Sequence, residues 1–390
     1  MVEAAPPAKP QSRLAVLDGF RAVAILLVVG FHYGVRWAPP WTRDAAWLPW
    51  GETFTGVWLL RYGRSHACFF FILSGFVILL TLERCTSVAD FWRKRLARLW
   101  PGLIVCASLT TLALIAFGPR QWLKDPLSFV LSVLMIDPDV LQKHFPHTDL
   151  GWIDGAYWTL AVEARFYILA GLMFLLPRRA FLPAWLALQA GSFLLAWPPL
   201  HAQRAYRPAY ELLMPIYLPY FTLGICLFEI HRSRRWLGLP AAGAVAAAAM
   251  IGINALWWTR FPHEDPLGRF AVNMGWIALF LLFVADSPLL RPLAFRPLAR
   301  LGEVSYALFL LHEAAGMALT FALAGLGVPP LLNLAAVVAV MVAASLLIYR
   351  FIEQPARLSL LSVFKPASDW LSDRAPWLDY RPSLPQPQSV

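Results

Sequence analysis

The stretch Leu17–Trp37, LDGFRAVAILLVVGFHYGVRW, decides the class of this protein. It is apolar over a length that crosses a bilayer as a helix, which takes about 20 residues. Within it stand an arginine, Arg21, and a histidine, His32. Ionisable groups are costly in hydrocarbon, so each marks either a buried pair or a functional site. The two are eleven positions apart, about three turns, and so share one helix face roughly 16 Å apart along the axis.

Comparable apolar runs recur outward from this one. They lie at 18–38, 62–82, 99–118, 157–176, 181–199, 210–230, 239–259, 270–286, 302–325 and 330–351. A shorter run at 127–136 reads as an interfacial or re-entrant piece. Of the 390 residues 59% are hydrophobic and 14% charged, against about a quarter charged in soluble domains. Mean hydropathy is +0.58. The fold class expected is an all-α polytopic membrane protein of about ten transmembrane helices.

The charges test that count. With the N-terminus inside, 20 Lys and Arg fall on the cytoplasmic side and 11 on the other. That is the asymmetry expected of an inner-membrane protein with both termini cytoplasmic. Counting 127–136 as a span would move the clusters PRR (177–179) and HRSRR (231–235) outside. The net charge of +10 is explained by loop orientation and implies no nucleic-acid partner. The expected organisation is a disordered tail at 1–17, a membrane domain at 18–355 and a Pro-rich cytoplasmic tail at 356–390. WAPPW after the first run offers no small-residue cleavage site, so that run reads as an uncleaved span. Cys68, Cys85, Cys106 and Cys226 have no metal-type spacing, and neither a disulfide framework nor a metal site is expected.

The polar residues at membrane depth form two layers. His32, Glu163 in YWTLAVEARFY and His66 in GRSHACFFFILSGF fall toward the outer side of their spans. His312, with Glu313 beside it, falls near the middle of the ninth. One pair of this kind only positions helices. Two histidines and a carboxylate at similar depth are also the parts of a general base near neutral pH. On the inner side FWRKRLARLWP (91–101) is the densest basic run. It suits the positive-inside rule, but Arg95 and Arg98 also share a face where two forked guanidinium groups suit phosphate. Ser74-Gly75 reads as a helix-packing element, and Asp18 as a cap or a partner of Arg21.

Six pieces in this order resemble the acyltransferase-3 family of integral membrane acyltransferases: LDGFRAVAILLVVGFH, FFFILSGFVI, FWRKRLARLWP, YWTLAVEARFY, LGEVSYALFLLH and FIEQPAR. The resemblance runs from Leu17 to about Arg357. It implies an O-acyltransferase that takes an acyl group, commonly acetyl, from cytosolic acetyl-CoA or another acyl-CoA. The acceptor it implies is a carbohydrate hydroxyl of exopolysaccharide or lipopolysaccharide.

Residue by residue, it carries the family's essential pair onto Arg21 and His32 and its Arg-x2-Arg onto Arg95 and Arg98. It carries the span-four acid onto Glu163 and the late histidine onto His312. His66 stands where the family pattern has Gly-Val, and Ala164 where a second acid is common. The resemblance implies that Arg21, Arg95 and Arg98 take the CoA phosphates. His32, oriented by Glu163, would deprotonate the acceptor or carry the acyl group itself. With only a short tail after the last span, transfer is expected directly to the acceptor or to a separate protein. The rival class is a transporter or flippase of a glycan or lipid-linked sugar, whose intramembrane charges relay protons.

Overall fold

The computed structural model describes residues 10–38, 47–142, 144–145, 147–173, 175–196, 204–257 and 264–374. Among these every regular element is a helix, with no strand. The principal helices are α1 (Pro10–Phe31), α2 (Gly63–Leu82), α3 (Val88–Phe117), α4 (Pro126–Val133), α5 (Pro138–Gln142), α6 (Trp158–Met173) and α7 (Arg178–Leu195). They continue with α8 (Arg207–Leu213), α9 (Leu218–Ser233), α10 (Leu239–Trp257), α11 (Pro266–Val284), α12 (Arg296–Glu303), α13 (Ser305–Leu311) and α14 (Ala314–Gly325). The last are α15 (Pro330–Ile348), α16 (Gln354–Val363) and α17 (Lys365–Arg374).

Helix lies at each of the ten expected spans, but among the described residues seven helices are by themselves long and apolar enough to cross a membrane. An eighth candidate is the α13–α14 pair, bent by 58°. The remaining two expected spans are short or charged. α6 has 16 residues and carries Glu163 and Arg165, and α7 opens on Arg178 and Arg179. The 127–136 run contains the eight-residue α4, closed at its start by Asp125, whose carboxylate accepts from Leu127 N–H at 2.9 Å. At the ends, α1 begins at Pro10, inside the stretch read as tail. Residues 1–9 and 375–390 lie outside those described, while α16 and α17 occupy the first part of the C-terminal tail.

The chain divides into two compact units. The first comprises residues 1–70, 102–161 and 249–353. Its organising contact is α1 against α12 and the 3-10 turn Pro288–Ala294. Gly302 meets the carbonyl of Asp18 and Gly19 that of Leu293 so closely that no Cβ fits at either position. Phe69 stacks on Trp276 with centroids 4.0 Å apart, and Phe20 fits between Phe69 and Phe280. In the same unit α15 leaves Leu331, Leu332, Val340, Leu346 and Leu347 exposed. In water such a row would be a liability, whereas in lipid it is the expected outer face.

The second unit comprises residues 71–101, 162–248 and 354–390. α2 and α9 cross where Gly75 meets the Phe221 backbone and Gly224 meets that of Ile72, which is the packing role expected of the Ser74-Gly75 pair. Phe166 stacks on Phe221 at 3.9 Å, and buried Trp185 donates to Thr222 Oγ1 at 3.0 Å. α7, α9 and the residue that follows α2 are tied by charge. Arg178 donates to Glu229 at 2.6 Å and Glu83 at 3.2 Å, and Arg232 to Glu83 at 3.0 Å and Glu229 at 3.2 Å.

Candidate active site at a broken helix

His32 begins a π-helical turn, His32–Arg36, that continues α1. Such wide turns inside a helix recur at functional sites because they displace one side chain from the regular ladder. The ring is almost buried, at 9% exposure. Its Nδ1 lies 3.0 Å from the Val28 carbonyl and 2.9 Å from Nε2 of His312. His312 is fully buried, and its Nδ1 lies 2.9 Å from the Phe309 carbonyl. A carbonyl can only accept, so both Nδ1 atoms carry hydrogen. The one His32 Nδ1–H is then shared between the Val28 carbonyl and the lone pair of His312 Nε2, and His32 Nε2 is left as the basic nitrogen.

The carboxylate at that nitrogen is Glu313, whose Oε2 lies 3.2 Å from His32 Nε2. The contact is out of line for a hydrogen bond, and Oε2 has no aligned donor. The acid therefore sits beside the His32 lone pair without occupying it. Glu313 reaches this place because the helix breaks at His312–Glu313, between α13 and α14. No proline or glycine stands at the break, and its freed backbone groups are met by side chains. Tyr33 Oη donates to the His312 carbonyl, Tyr157 Oη donates to that of Leu310 at 3.1 Å, and Ala314 N–H donates to Asp154 Oδ2 at 2.8 Å. Backbone at membrane depth tolerates a break only when its groups are satisfied in this way.

Asp154 is fully buried and its Oδ1 accepts from Ala156 N–H at 2.9 Å. Burial, and then the nearby Glu313 carboxylate, hold its carboxyl well above the usual range. Next to it Gly155 lies so close to Glu313 that a Cβ there would stand 2.7 Å from Oε1. All of these residues belong to the first unit.

The other sequence-selected residues are placed as follows. His66 is buried with both nitrogens engaged: Nε2 with the Leu59 carbonyl at 2.9 Å, and Nδ1 accepting from Trp276 Nε1 at 3.1 Å. Arg21 pairs with Asp18 at 2.7 Å. In the second unit, Glu163 Oε1 accepts from Ser74 Oγ at 2.8 Å and from Tyr167 Oη. Arg95 is buried; it donates to Thr81 Oγ1 and lies 5.2 Å from the Tyr167 ring centre and 5.8 Å from that of Phe91. Arg98, one turn on, is exposed. Arg93 and Lys94 meet Asp90 at 2.5 and 2.7 Å.

The structure thus brings His32, His312 and Glu313 together, and separately joins Glu163 to Ser74 and Tyr167. Tyr33, Asp154 and Tyr157 are added by the structure. Asp154 has one sequence signal, an Asp-Gly start before a helix, which is an ordinary cap signature. The two tyrosines have none.

A multi-pass helical membrane protein with a buried histidine held as a base beside a carboxylate has the parts of an enzyme centre. The chain belongs to the acyltransferase-3 family: the family model, described as an acyltransferase domain, matches residues 14–350. The acyltransferase MdmB of Streptomyces mycarofaciens is 27% identical over 64% of this chain and 67% of its own length. The putative membrane-bound transacylase BcsY of Komagataeibacter xylinus is 27% identical over 78% and 73%. Nodulation protein 10 of Rhizobium leguminosarum bv. viciae is 30% identical, and the match spans 34% of this chain and only 40% of that protein. The O-acetyl transferase of Shigella phage Sf6 is 28% identical over 40% of this chain and 44% of its own length. No solved structure matches the chain.

Proposed function

We propose that this protein is an inner-membrane O-acyltransferase that moves an acyl group, acetyl in the first instance, from cytosolic acyl-CoA to a carbohydrate hydroxyl of the cell envelope. In this reading the chain crosses the bilayer ten times, with both ends cytoplasmic. The names of two relatives, an acyltransferase and an O-acetyl transferase, support the reaction class. The observation that carries the reading is the His32 ring, with Nδ1 engaged and Nε2 beside a carboxylate.

The chemistry follows from that geometry. The acceptor hydroxyl gives its proton to His32 Nε2 as its oxygen attacks the thioester carbonyl carbon. Glu313, 3.2 Å from the same nitrogen, stabilises the imidazolium that forms. The carbon–sulfur bond breaks, and the proton passes from His32 to the departing thiolate. His312 fixes the ring and its tautomer. Arg95 and Arg98, both in the second unit, are assigned to the CoA phosphates, with exposed Arg98 the one that meets solvent. Glu163, bound by the Ser74 and Tyr167 hydroxyls, is assigned to holding the helices around Arg95.

The test is transfer of label from acetyl-CoA to the envelope glycan fraction by membranes containing the protein. Loss of a general base costs about 10²–10⁴ in rate. His32→Ala is expected to lose transfer on that scale while still inserting in the membrane. Unchanged transfer by His32→Ala overturns the assignment. Absence of transfer by the unaltered protein, with glycan moving across sealed vesicles, makes it a transporter instead.

A further inference from the structure

The catalytic pair proposed above depends on a break with no proline or glycine at His312–Glu313 itself; Gly316, one turn on, gives the Tyr33 hydroxyl room to reach the His312 carbonyl. Something else must hold the chain open at His312–Glu313. Three side chains from elsewhere in the chain meet freed groups, and one of them, Asp154, ties the break to its own segment through its two oxygens. Oδ1 caps its own turn at Ala156 N–H, and Oδ2 takes Ala314 N–H, the first amide of α14. This second bond joins the segment before α6 to the residue that follows Glu313. The intervening Gly155 supplies the bare backbone against which the Glu313 carboxylate rests.

We propose that Asp154 is a positioning residue for the acyl-transfer reaction: by holding the α14 amide end it fixes Glu313 against His32. The proposal rests on the His32–Glu313 reading. Asp154 touches neither His32 nor the substrate in this role and acts only through Glu313. Without it, Ala314 N–H loses its acceptor, α14 rotates toward regular continuation of α13, and the Glu313 carboxylate leaves the His32 nitrogen. A misplacement of about 1 Å in such a pair costs on the order of a hundredfold in rate.

The titratable groups around this carboxylate are Glu313 at the break, Tyr33, Tyr157 and Cys106, and Glu313 in turn faces His32, His312 and Arg36. A change in their charge would alter any pH profile, so the decisive readout is coupling between two substitutions. Asp154→Ala is expected to lower kcat about a hundredfold with little change in KM for acetyl-CoA. In a Glu313→Gln background the same substitution is expected to cost nothing further, because the group it positions has been removed. An equal loss in both backgrounds overturns the proposal and makes Asp154 a purely structural residue.

If Asp154→Ala does not insert and fold, the same cycle is run with Asp154→Asn, which retains one acceptor oxygen. A second readout is independent of transfer: the pH dependence of His32 modification by diethyl pyrocarbonate. Asp154→Ala and Glu313→Gln should both shift its midpoint downward, since each withdraws a carboxylate from the imidazolium. That shift in a protein without transfer activity would end the acyltransferase reading and leave the positioning role standing. No shift in Asp154→Ala, with a shift in Glu313→Gln, ends the positioning role alone.

Discussion

Most buried charge among the described residues is met by partners, and Glu264 is an acid of which neither oxygen is. It stands in the segment entering α11, its side chain wholly buried and 3.5 Å from Arg269 Nη1. Arg269 spends two donors on the Ala255 carbonyl, at 2.8 and 2.5 Å, and neither Glu264 oxygen receives a hydrogen bond among the described residues. Burial therefore outweighs the pull of Arg269 and Arg64 and lifts the carboxyl to about 7. An acid whose pKa is higher folded than unfolded binds more protons in the folded state between the two values. Its contribution to stability is whole below about 4.5 and is lost as pH rises through about 7. Thermal unfolding in detergent should thus show Glu264→Gln gaining on the wild type between pH 5 and pH 8. A constant difference across that range would mean that Glu264 is ionised throughout.

At the scale of elements, close backbone approach and an unforced break do the positioning. α1 carries His32 and is seated against α12 through Gly302, whose absent side chain leaves room for the Asp18 carbonyl. A methyl group there meets backbone and cannot be accommodated by a rotamer change. Gly302→Ala should lower stability by about 1–3 kcal/mol, the usual cost of overpacking a tight contact, read as a lower unfolding temperature in detergent. The break between α13 and α14 is the complementary case. Its backbone groups are satisfied by Tyr33, Tyr157 and Asp154 from two other segments, so the bend is made by tertiary contacts. The apolar run at 302–325 therefore reads as one helix in sequence, while in the structure α13 and α14 divide its greater part at the break.

For the whole molecule, the arrangement of spans can be checked with the protein's own chemistry. All four cysteines are buried, so the background reaction with an impermeant maleimide should be low. Thr53→Cys and Ser362→Cys each place a thiol at an exposed position. With ten spans and both ends cytoplasmic, Thr53→Cys is labelled in intact cells stripped of their outer membrane. Ser362→Cys is labelled only after the membrane is opened. Labelling of both from the same side would require an odd change in the number of spans between them. Ten apolar runs and their basic flanks were legible because a lipid environment imposes length and charge rules on each segment separately. The 16 residues of α6 and the charged start of α7 are where those local rules are weakest.

Sequence by itself determined the membrane class, the family resemblance, and the face shared by Arg21 and His32, since each depends on residues within one segment or on motif order. It also placed His312 among the residues that matter. Only the tertiary structure decided which acid meets His32. Glu313 was visible beside His312, yet in a straight helix the two neighbours point about 100° apart and one would face away. The break redirects Glu313, and the groups that hold the break lie at 33, 154 and 157, far from it in the chain. Periodicity describes a regular helix, and this site is built where the helix stops being regular.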